Sequence, residues 1–283
     1  MADENRASEA GYPPIVEARL TDPPLETTPL LEARSLSKSF RGLHALVDYD
    51  LRLTPLTIHG VIGPNGAGKT TLFHLLSGFM QPTSGSISFE GRDITGTRAF
   101  NVARLGVGRT FQNIRLFGEL SVLDNVKVAL QRRSKPSTLG VLLSSPSFRR
   151  AERELDDRAL ELLEMFGLAD QRDRTARNLP YGDQRRLEIA RAVGIQPKVL
   201  LLDEPNAGMN PIETQALLAL IRRLRDELGI TIVLVAHDIP LVMNLCDRIQ
   251  VLNYGRLIAE GDPASVRANP DVVAAYLGQA RHA

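Results

Sequence analysis

The run Gly63-Pro64-Asn65-Gly66-Ala67-Gly68-Lys69-Thr70 restricts what this chain can fold into more than any other stretch. Two glycines, Gly63 and Gly68, followed at once by Lys and Thr, form the pattern of a loop that wraps its backbone N–H groups around a polyanion. The glycines let the main chain approach without Cβ clashes and visit φ > 0. Lys69 is placed to reach the outer phosphates of a nucleotide, and Thr70 to offer its hydroxyl to Mg²⁺. Thr71 continues a helix whose N-terminus adds partial positive charge at the same spot. Such a loop sits between a strand and a helix, and the apolar Ile58–Ile62 leads straight into it.

Two further apolar runs, Lys198-Val199-Leu200-Leu201-Leu202-Asp203 and Thr231-Ile232-Val233-Leu234-Val235, are continuous rather than alternating, as expected of parallel strands covered on both faces. Between them Asn210 is a cap, Pro211 a first-turn residue, and Leu217, Ile221, Leu224 and Leu228 recur at helical spacing up to Gly229. A strand, helix, strand alternation of this kind specifies a mostly parallel sheet. Asp203 and Glu204 then leave a buried strand at its C-terminal end, the edge where ligands bind. Asp203 is suited to hold Mg²⁺, directly or through water, and Glu204 to polarise an attacking water. His237 emerges from the neighbouring strand at the same edge, within reach of a γ-phosphate or of Glu204. Gln112, in Arg109-Thr110-Phe111-Gln112-Asn113, offers a neutral amide to water or metal where the core gives way to a different pattern.

At 283 residues and 43% hydrophobic content, the chain suffices for one large α/β domain, with or without a smaller lobe. Its 34 basic and 33 acidic residues leave a formal net charge of +1, which provides no global field for nucleic acid. The single cysteine, Cys246, excludes an intramolecular disulfide and a cysteine metal cluster, and its apolar neighbours mark it as a small core residue. No apolar run reaches the length of a membrane span, and the N-terminus is acidic, so the expectation is a soluble intracellular chain that can dock on a membrane protein.

Residues 1–30, rich in proline and acid, read as a disordered extension. Residues 31–36 and 45–53 read as short strands. Residues 113–180 lose the β-branched runs and carry a charged helical pattern over 149–166, which reads as a helical lobe inserted into the core. From residue 261 onward, Asp262-Pro263 and Asn269-Pro270 each pair a cap with a first-turn proline, which predicts two short helices in a tail over 261–283.

With these residues placed, residues 31–277 resemble the nucleotide-binding subunit of an ABC transporter. The resemblance implies a P-loop NTPase core with a mostly parallel sheet, an antiparallel β subdomain and an inserted helical subdomain. The ATP-binding domain would span 31–260. The family's Leu-Ser-Gly-Gly-Gln signature loop here reads Leu179-Pro180-Tyr181-Gly182-Asp183, so the usual serine hydroxyl is missing and contact with ATP would rest on Gly182 and backbone N–H groups. That departure, with Gly208-Met209-Asn210-Pro211 and the ending Ala275-Tyr276-Leu277-Gly278, resembles the ATPases of branched-chain amino-acid importers of the LIV type. Residues 134–150 match the extended middle segment of the longer of its two ATPase types, or else form a solvated loop. By the same resemblance ATP is bound between Gly63 to Thr71 of one subunit and Leu179 to Asp183 of another. Lys69, Glu204, His237 and Gln112 would be catalytic, and Thr70, Gln112 and Asp203 would hold Mg²⁺. Phe40 either stacks on adenine or faces the core. The implied partners are a second ATPase, identical or not, two membrane permeases on whose cytoplasmic face the chain would sit, and indirectly a periplasmic binding protein. Urea, short amides or aromatic acids are alternative cargoes, and a soluble ABC ATPase outside transport is the more distant alternative.

Overall fold

The computed structural model describes residues 28–131 and 146–277. The expectation of disorder for residues 1–30 therefore falls, up to residue 27, outside the described residues, as do much of the middle segment and residues 278–283.

The first two strands, β1 (Leu31–Phe40) and β2 (Leu43–Leu53), form a hairpin whose two-residue turn, Arg41 and Gly42, has φ of 45° and 94°. Two central residues with φ > 0 match the right-handed twist of the strands. Both strands run beyond the predicted 31–36 and 45–53. The outer half of β1, Ser37, Lys38 and Ser39, is too polar to read as a strand, yet its backbone pairs with β2 through a series of register shifts. Strands β4 (Ser84–Phe89) and β5 (Arg92–Asp93) complete an antiparallel sheet in the order β2-β1-β4-β5.

The second sheet carries the site. It has the order β10-β9-β3-β8-β7-β6, from β3 (Ile58–Ile62), β6 (Val107–Arg109), β7 (Val199–Asp203), β8 (Thr231–Val235), β9 (Arg248–Asn253) and β10 (Arg256–Gly261). All its pairings are parallel except the β9–β10 hairpin at one edge. Because side chains alternate along a strand, Leu200, Leu202, Ile232 and Leu234 enter one hydrophobic cluster, while Val199, Leu201, Val233 and Val235 enter another on the opposite face. Burial on both sides is the reason these strands read as unbroken apolar runs.

The antiparallel sheet and α1 (Lys69–Leu76) cover one face. The other is covered by α6 (Pro211–Asp226), α7 (Ile239–Leu245) and the helical segment, which comprises α3 (Val122–Leu130), α4 (Pro146–Met165) and α5 (Tyr181–Gly194). A short helix α2 (Ala99–Leu105) precedes β6. Val122, Val126, Leu163 and Phe166 share one continuous cluster with Leu202 and Ile232, so the helical segment is packed onto the sheet. Helix α6 begins with a complete capping box: Asn210 Oδ1 accepts the Glu213 N–H, and Glu213 Oε2 accepts the Asn210 N–H, both at 2.9 Å. The described residues end in two short helices, α8 (Pro263–Ala268), capped by Asp262, and α9 (Pro270–Leu277). Among the described residues no helix is long and apolar enough to cross a membrane.

A buried polar seam joins the two sheets. Tyr49 donates to Gln250, and Gln250 Nε2 donates to the Asp50 carbonyl (2.9 Å) and to Glu260 (3.0 Å), which also takes Arg248 (2.9 Å). His59 of β3 lies beside it, 1% exposed, with Nε2 unpartnered. Burial pulls the His59 pKa down to about 4, with Arg248 adding to the effect and Glu260 and Gln250 opposing it. The unfolded histidine takes its proton near its ordinary value of about 6.5, so between the two values the unfolded chain holds more protons and stability falls as the solution is acidified. His59 should therefore contribute about 3 kcal/mol above pH ~6.5 that is lost as the pH falls to about 4. Urea unfolding across that window should show the slope in the native sequence and lose most of it in His59→Gln.

Candidate functional site

All five residues of β3 are buried, and the strand delivers Gly63 to the centre of the sheet's C-terminal edge. The loop turns into α1 at Gly68, whose φ is 105° and where a Cβ would sit 2.4 Å from the Ala45 carbonyl, so only glycine fits. Ala45, Asn65, Gly66, Ala67, Gly68, Lys69, Thr70 and Thr71 line a cavity closed on its far side by Gln112, Glu204 and His237. Five separate stretches of chain, carrying Ala45, residues 65–71, Gln112, Glu204 and His237, thus converge at one cavity.

Lys69 is 6% exposed, and its Nζ donates to the carbonyls of Gly63 (2.6 Å) and Pro64 (2.9 Å). Two of its three N–H groups hold the loop in shape and the third is left for a ligand. Burial holds the ammonium below the ordinary lysine range, against the opposing pull of Glu204 and Asp203. The cavity therefore contains a desolvated cation among backbone N–H groups, an arrangement that favours a polyanion.

Glu204 follows β7 with φ of 48°, a conformation that a side chain with a Cβ adopts only when its surroundings enforce it. Its N–H donates to the Val235 carbonyl at 2.8 Å, which ties the turn to β8. Its carboxylate meets His237 Nε2 at 2.7 Å. The pair has the geometry needed to hold and orient a water, with the carboxylate as proton acceptor.

Asp203 sits differently from Glu204. It is 3% exposed, its carboxylate pairs with Arg109 (3.1 Å), and it does not line the cavity. Arg109, the last residue of β6, also donates to Ser77 Oγ (2.9 Å) and packs against the rings of Phe73, Phe79 and Phe111. The sequence reading passed over Arg109 as a partner of Asp203; its register opposite Leu201, two residues before Asp203, was the available signal.

Arg185 was also missed. It is fully buried within α5, and its guanidinium donates to the carbonyls of Phe111 (2.6 Å), Gln112 (3.3 Å), Asp203 (3.2 Å) and Glu204 (2.8 Å) and to Glu188 (2.6 Å). Glu188 in turn accepts the N–H groups of Phe111 and Arg115. One side chain thereby fixes the exit from β6, the turn after β7 and α5 relative to one another. Its position four residues before Ile189 and seven before Ala192, on a buried helical stripe, could have revealed it.

Leu179, Pro180, Tyr181, Gly182 and Asp183 lie at the N-terminus of α5, and none of them lines the cavity. The Tyr181 ring is half-exposed and lies over Gly208. The Asp183 carboxylate is turned inward, bound by Gln171 (2.8 Å) and Arg186, so this residue offers only its N–H to a ligand outside. Phe40 is 41% exposed at the end of β1 with Lys38 Nζ 5.2 Å from its ring, which removes the core-facing alternative; it too lies outside the cavity lining.

Among the described residues no cluster of three or more His, Cys, Asp or Glu side chains could hold a metal by itself. Thr70 and Gln112 in the cavity wall, with Asp203 behind them, fit a cation that brings phosphate oxygens with it.

The family model described as "ABC transporter" matches residues 46–207, and the model described as "Branched-chain amino acid ATP-binding cassette transporter" matches residues 256–282. The high-affinity branched-chain amino acid transport ATP-binding protein LivG of Escherichia coli (strain K12) is 49% identical over 252 residues, covering 89% of this chain and 99% of LivG. The corresponding protein BraF of Pseudomonas aeruginosa is 47% identical over the same shares. A solved ATP-binding cassette of an ABC transporter, in its ADP conformation, aligns with a TM-score of 0.76 and 30% identity over 89% of this chain and 100% of that one.

Proposed function

The chain belongs to the family of ABC transporter ATP-binding proteins, and on that premise we propose that it is the ATP-hydrolysing subunit of an importer for branched-chain amino acids. The observation that carries the mechanism is the cavity in which Lys69, Thr70, Gln112, Glu204 and His237 meet while Leu179 to Asp183 stay outside it. One chain then holds half of each composite site, and two subunits must face each other to complete it.

In this reading the N–H groups from Gly63 to Thr71 and the Lys69 ammonium bind the phosphates, with Pro64, Asn65, Gly66 and Ala67 forming the wall and Phe40 stacking on adenine from the rim. Thr70, Gln112 and Asp203 would hold Mg²⁺, which would supply charge neutralisation to the phosphates when bound. Glu204 takes the proton of the attacking water, and His237 orients Glu204 and meets the γ-phosphate. Pro180, Tyr181, Gly182 and the Asp183 N–H of the facing subunit close on the same phosphate from the N-terminus of α5.

Phe111, next to Gln112, also lines a surface groove with Arg115, Phe117 and Arg191, and the two arginines stack on the rings of Phe111 (4.2 Å) and Phe117 (4.4 Å). A cytoplasmic helix of a permease seated there would sense the state of Gln112 through a single peptide link. The chain would sit peripherally on the cytoplasmic face, with two permeases and a periplasmic binding protein completing the importer.

The test is to tag a Glu204→Gln protein, trap it with ATP in solubilised membranes of its host, and identify what co-purifies. Two permeases and a second ATPase support the importer, and uptake of labelled leucine by the reconstituted complex supports the cargo. Urea or amide uptake without leucine uptake would replace the cargo, and recovery with ribosomes or DNA alone would end the transport reading. Lys69→Ala should separately raise the dissociation constant for ADP about ten- to hundredfold, the loss expected for a charge-assisted contact, as read by calorimetry.

A further inference from the structure

The two ends of the phosphate loop lie against main chain from other strands, and its middle does not. A Cβ on Gly63 would be 2.1 Å from the Leu252 carbonyl of β9, and one on Gly68 would be 2.4 Å from the Ala45 carbonyl of β2. A Cβ on Gly66, between them, would meet nothing within 4 Å among the described residues. The second end is tied down by the turn between β9 and β10. Asn253 pairs with Arg256, which leaves a two-residue turn of Tyr254 and Gly255 with φ of 46° and 77°. Gly255 donates its N–H to the Ala67 carbonyl (3.0 Å), and its own carbonyl accepts the Val47 N–H (2.8 Å). The turn thus joins the loop to β2 beside Ala45, which lines the nucleotide cavity. Space at Gly255 is as restricted as its conformation: a Cβ there would be 2.9 Å from the Ala45 carbonyl oxygen and 3.2 Å from the Leu46 Cα. That oxygen is the atom already pressed against Gly68, so a shift of β2 at Ala45 reaches the start of α1 directly.

We infer that Gly255 is a positioning residue for the nucleotide site: its N–H and its lack of a Cβ set where Ala67 and Gly68 lie, and so where the N–H groups at the start of α1 point. When a phosphate draws Lys69 off the Gly63 and Pro64 carbonyls, the loop loses its internal ties. The bond from Gly255 to Ala67 is made by backbone outside the cavity lining and does not depend on Lys69. Gln112, Glu204 and His237 reach the cavity from the ends of β6, β7 and β8. The turn therefore acts on phosphate binding and not on the proton acceptor.

This inference rests on the nucleotide reading of the loop, which binding of ADP to the unaltered protein tests by itself. Gly255→Ala adds the Cβ and strains the backbone; Gly255→Asn adds the same Cβ with a side chain that tolerates positive φ. Gly91, in the turn between β4 and β5, has φ of 74° and nothing within 4 Å of a Cβ among the described residues, so Gly91→Ala carries the strain without the contact. With the full chain, both Gly255 variants should raise the dissociation constant for ADP about tenfold, and Gly91→Ala should leave it within about twofold. The KM for ATP should rise in step, with kcat changed less than about twofold. In the unaltered protein, which needs no variant to fold, ADP should slow hydrogen exchange at the Gly255 N–H and leave that of Ile94, bonded beside the Gly91 turn, as it was. Native ADP affinity in both Gly255 variants overturns the inference, as does unchanged exchange at Gly255. A loss that Gly91→Ala matches, or that Gly255→Asn restores, belongs to backbone strain and overturns it too. Failure of the unaltered protein to bind ADP would remove the nucleotide reading and this inference with it.

Discussion

A protein carrying Glu204→Gln is expected to bind ATP as the native chain does and to hydrolyse it about 10²- to 10⁴-fold more slowly, the usual range for loss of a positioned general base. The side-chain volume and the bond to His237 can both persist, because the amide oxygen can accept from the ring where the carboxylate did at 2.7 Å. The φ of 48° at this position is imposed by the Glu204 N–H bond to Val235 and by the Arg185 bond to the Glu204 carbonyl, neither of which involves the side chain. The change therefore removes basicity and little else. Steady-state hydrolysis with a parallel binding measurement reads it directly. Near-native turnover in this variant would take the proton-acceptor role away from Glu204.

Arg185→Met is expected to cost about 3–5 kcal/mol of stability, the largest effect on folding of any change considered. The loss takes from Glu188, at 5% exposure, the guanidinium it is paired with and strips a donor from the carbonyls of Phe111, Gln112, Asp203 and Glu204. A double change, Arg185→Met with Glu188→Leu, should recover part of the loss, because the buried charge goes with its partner. Denaturant unfolding of the native, single and double variants forms the cycle. A single variant within about 0.5 kcal/mol of the native protein would show that the guanidinium is not the tie between α5 and the turns after β6 and β7.

What could be read in advance followed from burial. Strands β3, β7 and β8 are covered on both faces, so their sequences are apolar without interruption, and the capping of α6 by Asn210 is written in four consecutive residues. The phosphate loop, Glu204, His237 and Gln112 could be singled out because they lie at or shortly after strand ends, and the structure brings them to one cavity. The outer half of β1 was not, since Ser37, Lys38 and Ser39 gain their conformation from cross-strand pairing and not from an apolar face. Arg109 and Arg185 were invisible for a related reason. An arginine in a sequence reads as a solvated charge, and only the fold shows that Asp203, Glu188 and a group of backbone carbonyls surround it.

The place of β3 in the sheet has a consequence for how the protein is made. This strand is the earliest of its sheet in the chain, yet it lies in the middle, between β8 and β9. Its partners, from Ile232 to Val251, emerge roughly 170 to 190 residues later, so an apolar strand and the loop it carries must wait through most of synthesis for either edge to be satisfied. Gly255, whose N–H holds the Ala67 carbonyl of the loop, comes later still. The loop is thus held by segments translated long after it, and a nascent chain released before them holds the loop's sequence without its shape.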